Sequence, residues 1–249
     1  MRGILLLLLL TTQGWTPSRQ TQVIGCAEAV YESLVSSYPS YHYPFLAIKT
    51  ERLKEQKQET ILLFSYGSLI NLKSAQQTLS EEALESRQPA IAFGVRRLFD
   101  YDPTKTALGP PKDPKYRAML NLEKTKEPSD LVNGVVLEVP RENLADLCER
   151  EVGYDLVPVV YTLWEGALAL EPGRCPPFGV AYAFMAPEAE RGGRVRVNRK
   201  IKPRPDYYKL VREGAAEYGP DYLQLFIKTT YKGNGKPVND RALLKRAGL

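Results

Sequence analysis

The chain has 249 residues, 43% of them apolar, which suits one globular domain with extensions or at most two small domains and excludes a disordered or collagen-like chain. Lys and Arg exceed Asp and Glu only narrowly, 34 against 29, so a formal net charge of +5 does not by itself indicate a nucleic-acid binder. Cys26, Cys148 and Cys175 are odd in number and widely spaced, which gives neither a disulfide framework nor a CxxC zinc knuckle and predicts reduced thiols.

Arg2 followed by the apolar run Ile4 to Leu10 has the charged and apolar parts of a signal peptide, but the run is too short to span a bilayer. No small-x-small cleavage site follows it, and Val23-Ile24-Gly25-Cys26 resembles a lipoprotein box set too far downstream. The expected location is cytoplasmic, with export through the signal-like segment 1–15 as the alternative. The remainder of an N-terminal extension, residues 1–59, holds a helix candidate at Glu28 to Val35, an aromatic stretch at Tyr38 to Phe45 and a charged connector at Lys49 to Glu59.

A main domain is expected over 60–232, followed by a tail at 233–249. Ile61 to Phe64 reads as a short buried strand, and Ser74 to Ser86 as one helix or two, since Ser80-Glu81-Glu82-Ala83 can start a second. Strands are predicted at Ala90 to Val95, Tyr116 to Leu122, Val135 to Val139, Leu156 to Leu163 and Val180 to Phe184. Asn133-Gly134 signals a turn ahead of the third of these, and Pro140 stops it. The Pro-, Gly- and charge-rich segment from Asp100 to Lys115 is a loop, either near a site or merely crossing the surface. Helices are predicted at Tyr207 to Glu217 and Tyr222 to Lys228. Strands and helices interleave without the regular crossovers of a doubly wound sheet, which favours an α+β fold.

Two features carry chemistry. Tyr66-Gly67-Ser68-Leu69 ends the first strand in a Gly-containing turn, a geometry that aims backbone N–H groups outward and suits an anion such as a carboxylate. In Arg141 to Glu151, Leu144, Leu147 and Glu151 share one helix face, whereas Glu149 falls on the other side, so Glu151 is expected to face the core and Glu149 water. A carboxylate on an apolar face near the negative end of a helix has a raised pKa, as a general acid/base requires. The plain alternative is an ion pair of Glu151 with Arg150 or another basic residue.

Tyr66-Gly67-Ser68-Leu69-Ile70 after a strand, then Gly134-Val135-Val136, then Arg150-Glu151 with Gly153-Tyr154, resembles the γ-glutamylcyclotransferase superfamily, and in detail its ChaC-type, glutathione-acting branch. The stretch Tyr208 to Leu225 resembles that superfamily's closing helices. The pattern departs from the ChaC branch at Asn71, where that branch usually has Trp. The resemblance implies a small mixed β-barrel or sheet with flanking helices. It also implies conversion of a γ-glutamyl peptide or amine, glutathione included, into 5-oxoproline and the free amine or peptide. Glu151 would move protons, and Tyr66, Gly67, Ser68, Leu69 and Tyr154 would bind substrate. No cofactor or metal is implied. The expected partner is a small γ-glutamyl molecule, with no nucleic acid and no stable membrane span. A non-catalytic ligand-binding module on the same fold is the alternative.

Other chemistries lack parts. The single histidine, His42, lies in the aromatic extension, no G-x-S-x-G elbow surrounds Ser68, and scattered Cys with one His give no zinc set. Gly233-Asn234-Gly235-Lys236 lacks the Ser or Thr and the preceding strand of a P-loop and reads as a turn. The stretch from Arg191 to Arg204 has seven basic residues and no acidic one; its interleaved Val195, Val197 and Ile201 suggest a strand with one buried and one cationic face. Arg194 or Arg196 is a candidate to reach an anionic substrate.

Overall fold

The computed structural model describes residues 14–40, 60–103, 108–125, 127–140, 143, 144, 147, 150, 151, 153–187 and 196–248. His42, Cys148, Glu149, Arg194, the signal-like segment through residue 13, most of the aromatic stretch and the charged connector lie outside them.

Five strands close a barrel in the order β1 (Thr60–Ser65), β5 (Leu131–Pro140), β2 (Gln88–Phe93), β6 (Asp155–Leu163) and β7 (Gly179–Met185). All neighbours are antiparallel except β1 and β7, which meet in parallel at Leu63 and Tyr182. Closure leaves the barrel no free edge, and its apolar strands bury Leu63, Phe64, Ile91, Phe93, Leu137 and Val160. A second sheet has β3 (Val95–Tyr101) between β4 (Met119–Lys124) and β8 (Thr230–Lys232). The α+β architecture with a small barrel and flanking helices therefore stands.

The predicted strand Ala90 to Val95 divides at Gly94. Its φ of +71° is a conformation open chiefly to glycine, and the Tyr31 ring fills the space a Cβ would need. The chain leaves the barrel there and enters the second sheet. Asn133-Gly134, expected as a turn, lies instead inside β5, with Ile91 opposite Asn133 and Ala90 opposite Gly134. The buried Asn133 amide donates to the Tyr222 carbonyl at 2.7 Å and accepts from the Arg97 guanidinium, while a Cβ on Gly134 would collide with the Ser65 carbonyl and the Phe64 ring. Asn and Gly here answer to buried bracing and close strand packing.

The predicted helix Glu28 to Val35 is longer, α1 (Pro17–Ser36), because Thr16 caps it and Pro17 occupies its first turn. Val23, Cys26, Ala27 and Tyr31 form its buried face. Trp15 packs on Trp164 at 5.2 Å between ring centroids, and the Gln22 amide donates to the carbonyls of Glu171 and Arg174, each at 2.8 Å. Cys26 is bonded to Cys175 across 149 residues of sequence. This corrects the expectation of reduced thiols: docking α1 against the segment before β7 juxtaposes two cysteines whose spacing gives no hint of pairing.

The predicted helix Ser74 to Ser86 is two short ones, α2 (Leu72–Ala75), capped by Asn71, and α3 (Glu81–Glu85), capped by Ser80. A one-turn α4 (Trp164–Leu168) follows β6. The helices α5 (Pro205–Ala216) and α6 (Pro220–Lys228) occupy the predicted stretches. β8 directly precedes Gly233, contrary to the expectation that no strand does. The stretch read as a tail contains α7 (Asp240–Ala247), which docks on α5 as Asp240 accepts from Tyr208 at 2.7 Å and Arg212 at 2.8 Å. Val197 makes only an isolated bridge to Tyr101, not the strand proposed for its neighbourhood.

One contact ties α5 to the N-cap of α2. A Cβ on Gly214 would stand 2.5 Å from the backbone nitrogen and Cα of Asn71. Alanine gains about 1 kcal/mol over glycine in helix propensity, but overpacking against backbone that cannot yield costs about 1–3 kcal/mol. Gly214→Ala is expected to be net destabilising, read as a lower urea midpoint; an increased midpoint would refute this account of the contact.

Candidate active site

β1 delivers Tyr66-Gly67-Ser68-Leu69 to the wall of a cavity of about 430 Å³, which Glu151, Tyr154 and Tyr207 also line. The turn becomes a single 3₁₀ turn (Ser68–Ile70), in which Ile70 N–H donates to the Gly67 carbonyl at 3.0 Å and Asn71 N–H to the Ser68 carbonyl at 3.2 Å. Among the described residues no acceptor pairs with the N–H groups of Gly67 and Leu69, the unsatisfied donors expected at the start of such a turn. Gly67 also permits a close approach, since a Cβ there would lie 2.8 Å from the Tyr207 hydroxyl. Tyr207 is hydrogen-bonded in turn to Ser68.

Glu151 lines the same cavity. Leu144 and Leu147 are fully buried, and helical hydrogen bonds run from Leu147 N–H to Asn143 and from Glu151 N–H to Leu147, at 3.2 and 3.0 Å. The Glu151 side chain is 20% exposed, and its carboxylate opens on the cavity rather than into the closed core. Burial raises its pKa above the ordinary 4.5, against the lowering effect of Arg150.

Arg150 is more than the ion-pair partner expected of it. Its Nε stands 3.7 Å from Glu151 Oε1, beyond hydrogen-bonding distance. Its two terminal nitrogens instead donate to Ser68 Oγ at 2.8 Å, Thr78 Oγ1 at 2.7 Å, Ser74 Oγ at 3.0 Å and the Ser74 carbonyl at 3.1 Å. One guanidinium thus clamps the 66–69 turn and α2 to the segment that carries Glu151.

The tyrosines form the remaining wall. Tyr66 donates to the Phe184 carbonyl at 2.5 Å and Tyr154 to the Leu120 carbonyl at 3.0 Å, while the Tyr154 ring stacks on Tyr101 at 4.3 Å. Neither hydroxyl bonds to Glu151. Burial raises the phenol pKa of Tyr66, Tyr154 and Tyr207, which keeps all three neutral beside the carboxylate. The five turn and tyrosine positions singled out from sequence and Glu151 therefore share one cavity. Tyr207 was not anticipated, being only one of two adjacent aromatic residues at a helix start. Lys73, from α2, also lines the opening. Arg196 lies instead beside Gly153, where a Cβ would meet its Nε at 3.1 Å.

Among the described residues no group of three or more His, Cys, Asp and Glu is placed to hold a metal, and no helix is long and apolar enough to cross a membrane. The cavity offers donors for an anion, one carboxylate whose pKa is raised by burial, and aromatic walls.

No protein-family model matches the chain, and no curated protein matches it. Solved structures do resemble it. An uncharacterised protein from Homo sapiens aligns at 20% identity over 68% of this chain and 87% of its own, with a TM-score of 0.47. A structure titled γ-glutamyl cyclotransferase aligns at 18% identity over 68% of this chain and 86% of its own, with a TM-score of 0.48. A yeast γ-glutamyl cyclotransferase described as specific to glutathione aligns at 16% identity over 69% of this chain and 96% of its own, with a TM-score of 0.46.

Proposed function

We propose that the protein is a cofactor-independent γ-glutamylcyclotransferase, acting on a γ-glutamyl peptide or amine through the unit 60–232. The observation that carries this reading is the single cavity shared by the turn donors and by a carboxylate whose pKa is raised by burial. The ordered resemblance at Tyr66 to Ile70, Gly134 to Val136 and Arg150 to Tyr154 supports it from sequence.

In this reaction the substrate's α-amine attacks its own γ-carbonyl carbon. The new C–N bond closes the five-membered lactam, and the bond from that carbon to the leaving nitrogen breaks. Glu151 takes the proton the amine loses and returns it to the departing nitrogen, so no external acid, oxidant or nucleophile enters. The N–H groups of Gly67 and Leu69 hold the substrate carboxylate in the folded pose and serve the developing oxyanion, while Ser68 is engaged by Tyr207. Arg150 positions the turn relative to the carboxylate. Tyr66 and Tyr154 shape the cavity with their rings, their hydroxyls being engaged by the backbone.

The test is incubation of the purified protein with glutathione, γ-glutamyl dipeptides and γ-glutamyl amines, with both 5-oxoproline and free glutamate quantified. Cyclisation yields 5-oxoproline without glutamate. Glutamate as the product would identify a hydrolase, and binding without either product would favour the ligand-binding module. The Cys26–Cys175 bond favours an oxidising compartment over the cytoplasm, because structural disulfides persist chiefly outside the cytosol. N-terminal sequencing of the mature protein tests export, and retention of Met1 in a cytosolic fraction would count against it.

A further inference from the structure

A second cavity, of about 380 Å³, lies between the segment 199–203, the turn after β8 and α7, and it shares no lining residue with the candidate active site. Arg199, Lys200, Lys202, Lys232 and Arg246 line it and no carboxylate does. Arg199 is neutralised by Glu123 at 2.5 Å. Among the described residues, Lys200, Lys202, Lys232 and Arg246 have no acidic partner.

Like charges gathered without a counter-ion repel one another, and exposed basic residues ordinarily spread into water. Here the fold holds them together. Lys202 Nζ and the Arg246 guanidinium carbon lie over the Tyr116 ring, 5.1 and 4.6 Å from its centroid. Lys202 is fixed at both backbone groups, its N–H donating to the Lys115 carbonyl at 2.8 Å and its carbonyl accepting from Ala118 N–H at 3.0 Å. Gly233 packs so closely that a Cβ there would stand 2.8 Å from the Cα of Arg199, which brings the two basic segments backbone to backbone.

We propose that this cavity is a second binding site, for a small anion carrying two or more phosphoryl groups. Cations contributed by three separate segments call for negative charge spread over more than one group. The Arg246 fork can grip phosphoryl oxygens in pairs, while the lysines act as point charges. The volume falls within the range of small-molecule pockets.

The test is calorimetric titration of the full chain at low salt with inorganic tripolyphosphate, adenosine triphosphate and citrate. Tripolyphosphate or adenosine triphosphate should bind at least about tenfold more tightly than citrate, and the tighter of the two distinguishes a free polyphosphate from a phosphate ester. Lys232→Glu/Arg246→Glu should abolish that preference while leaving 5-oxoproline formation unchanged. Lys200→Gln/Lys232→Gln, which keeps the Tyr116 stack, should weaken phosphate binding several-fold and guards against a fold defect in the first variant. Citrate binding as tightly as the phosphates, or phosphate binding unaffected by both variants, would overturn the proposal. A DNA or RNA oligomer that outcompetes tripolyphosphate for this cavity would overturn it in favour of a nucleic-acid surface.

Discussion

Glu151→Gln is expected to lower kcat by about 10²- to 10⁴-fold, the usual contribution of a positioned acid/base, with KM little changed. Glutamine keeps the shape of the side chain and removes only its capacity to exchange the proton. The pH dependence follows from burial. Because the folded-state pKa is raised above 4.5, the carboxyl's favourable contribution to stability is present at low pH and lost as pH rises through that folded value. At neutral pH the ionised group is therefore a liability to folding, and the variant should unfold at the same urea concentration as the parent or higher. Catalysis runs the other way: the parent's rate should fall as acid protonates Glu151, with the acid limb above the ordinary carboxylate value. A stable variant with undiminished kcat would remove Glu151 from the mechanism.

Reduction of the Cys26–Cys175 bond is expected to lower the unfolding free energy by about 2–5 kcal/mol, since opening a loop of this length restores much of the denatured chain's entropy. The bond joins α1 to the segment leading into β7, so its loss should loosen that helix before the barrel strands. Urea midpoints with and without reductant measure the effect. Alkylation of unfolded, unreduced protein should label Cys148 alone, with Cys26 and Cys175 joining after reduction. Labelling of all three cysteines before reduction would contradict the assignment.

Much of the barrel is legible in sequence, because Ile61 to Phe64, Val135 to Val139 and Leu156 to Leu163 are apolar runs of strand length with few competing signals. The site is legible in its two halves. A Gly turn after a strand and a carboxylate in register with Leu144 and Leu147 are local patterns. What escapes the sequence depends on distant partners. Asn133-Gly134 carries a turn signal that buried bonds to Arg97 and Tyr222 override within β5, and Gly94 breaks a strand for the sake of Tyr31 on a remote helix. Arg150 acts through Ser68, Ser74 and Thr78, more than 70 residues away in sequence, and Tyr207 meets Gly67 across an even longer span. The second cavity is assembled from four segments, around Tyr116, 199–203, 232–234 and 239–246, of which only the run through Arg204 stands out by charge.

The account joins these levels through one arrangement. Barrel closure fixes β1, Gly214 lets α5 press on Asn71, and Arg150 ties the turn to the Glu151 segment, so donors and carboxylate face one space. The central claim is that this space cyclises a γ-glutamyl substrate. Mass-spectrometric quantification of 5-oxoproline from purified protein and a panel of γ-glutamyl peptides and amines tests it most directly. The account predicts one equivalent of 5-oxoproline for each equivalent of amine or peptide released, from at least one member of the panel. No 5-oxoproline from any of them, with folded protein and intact substrate, would contradict it.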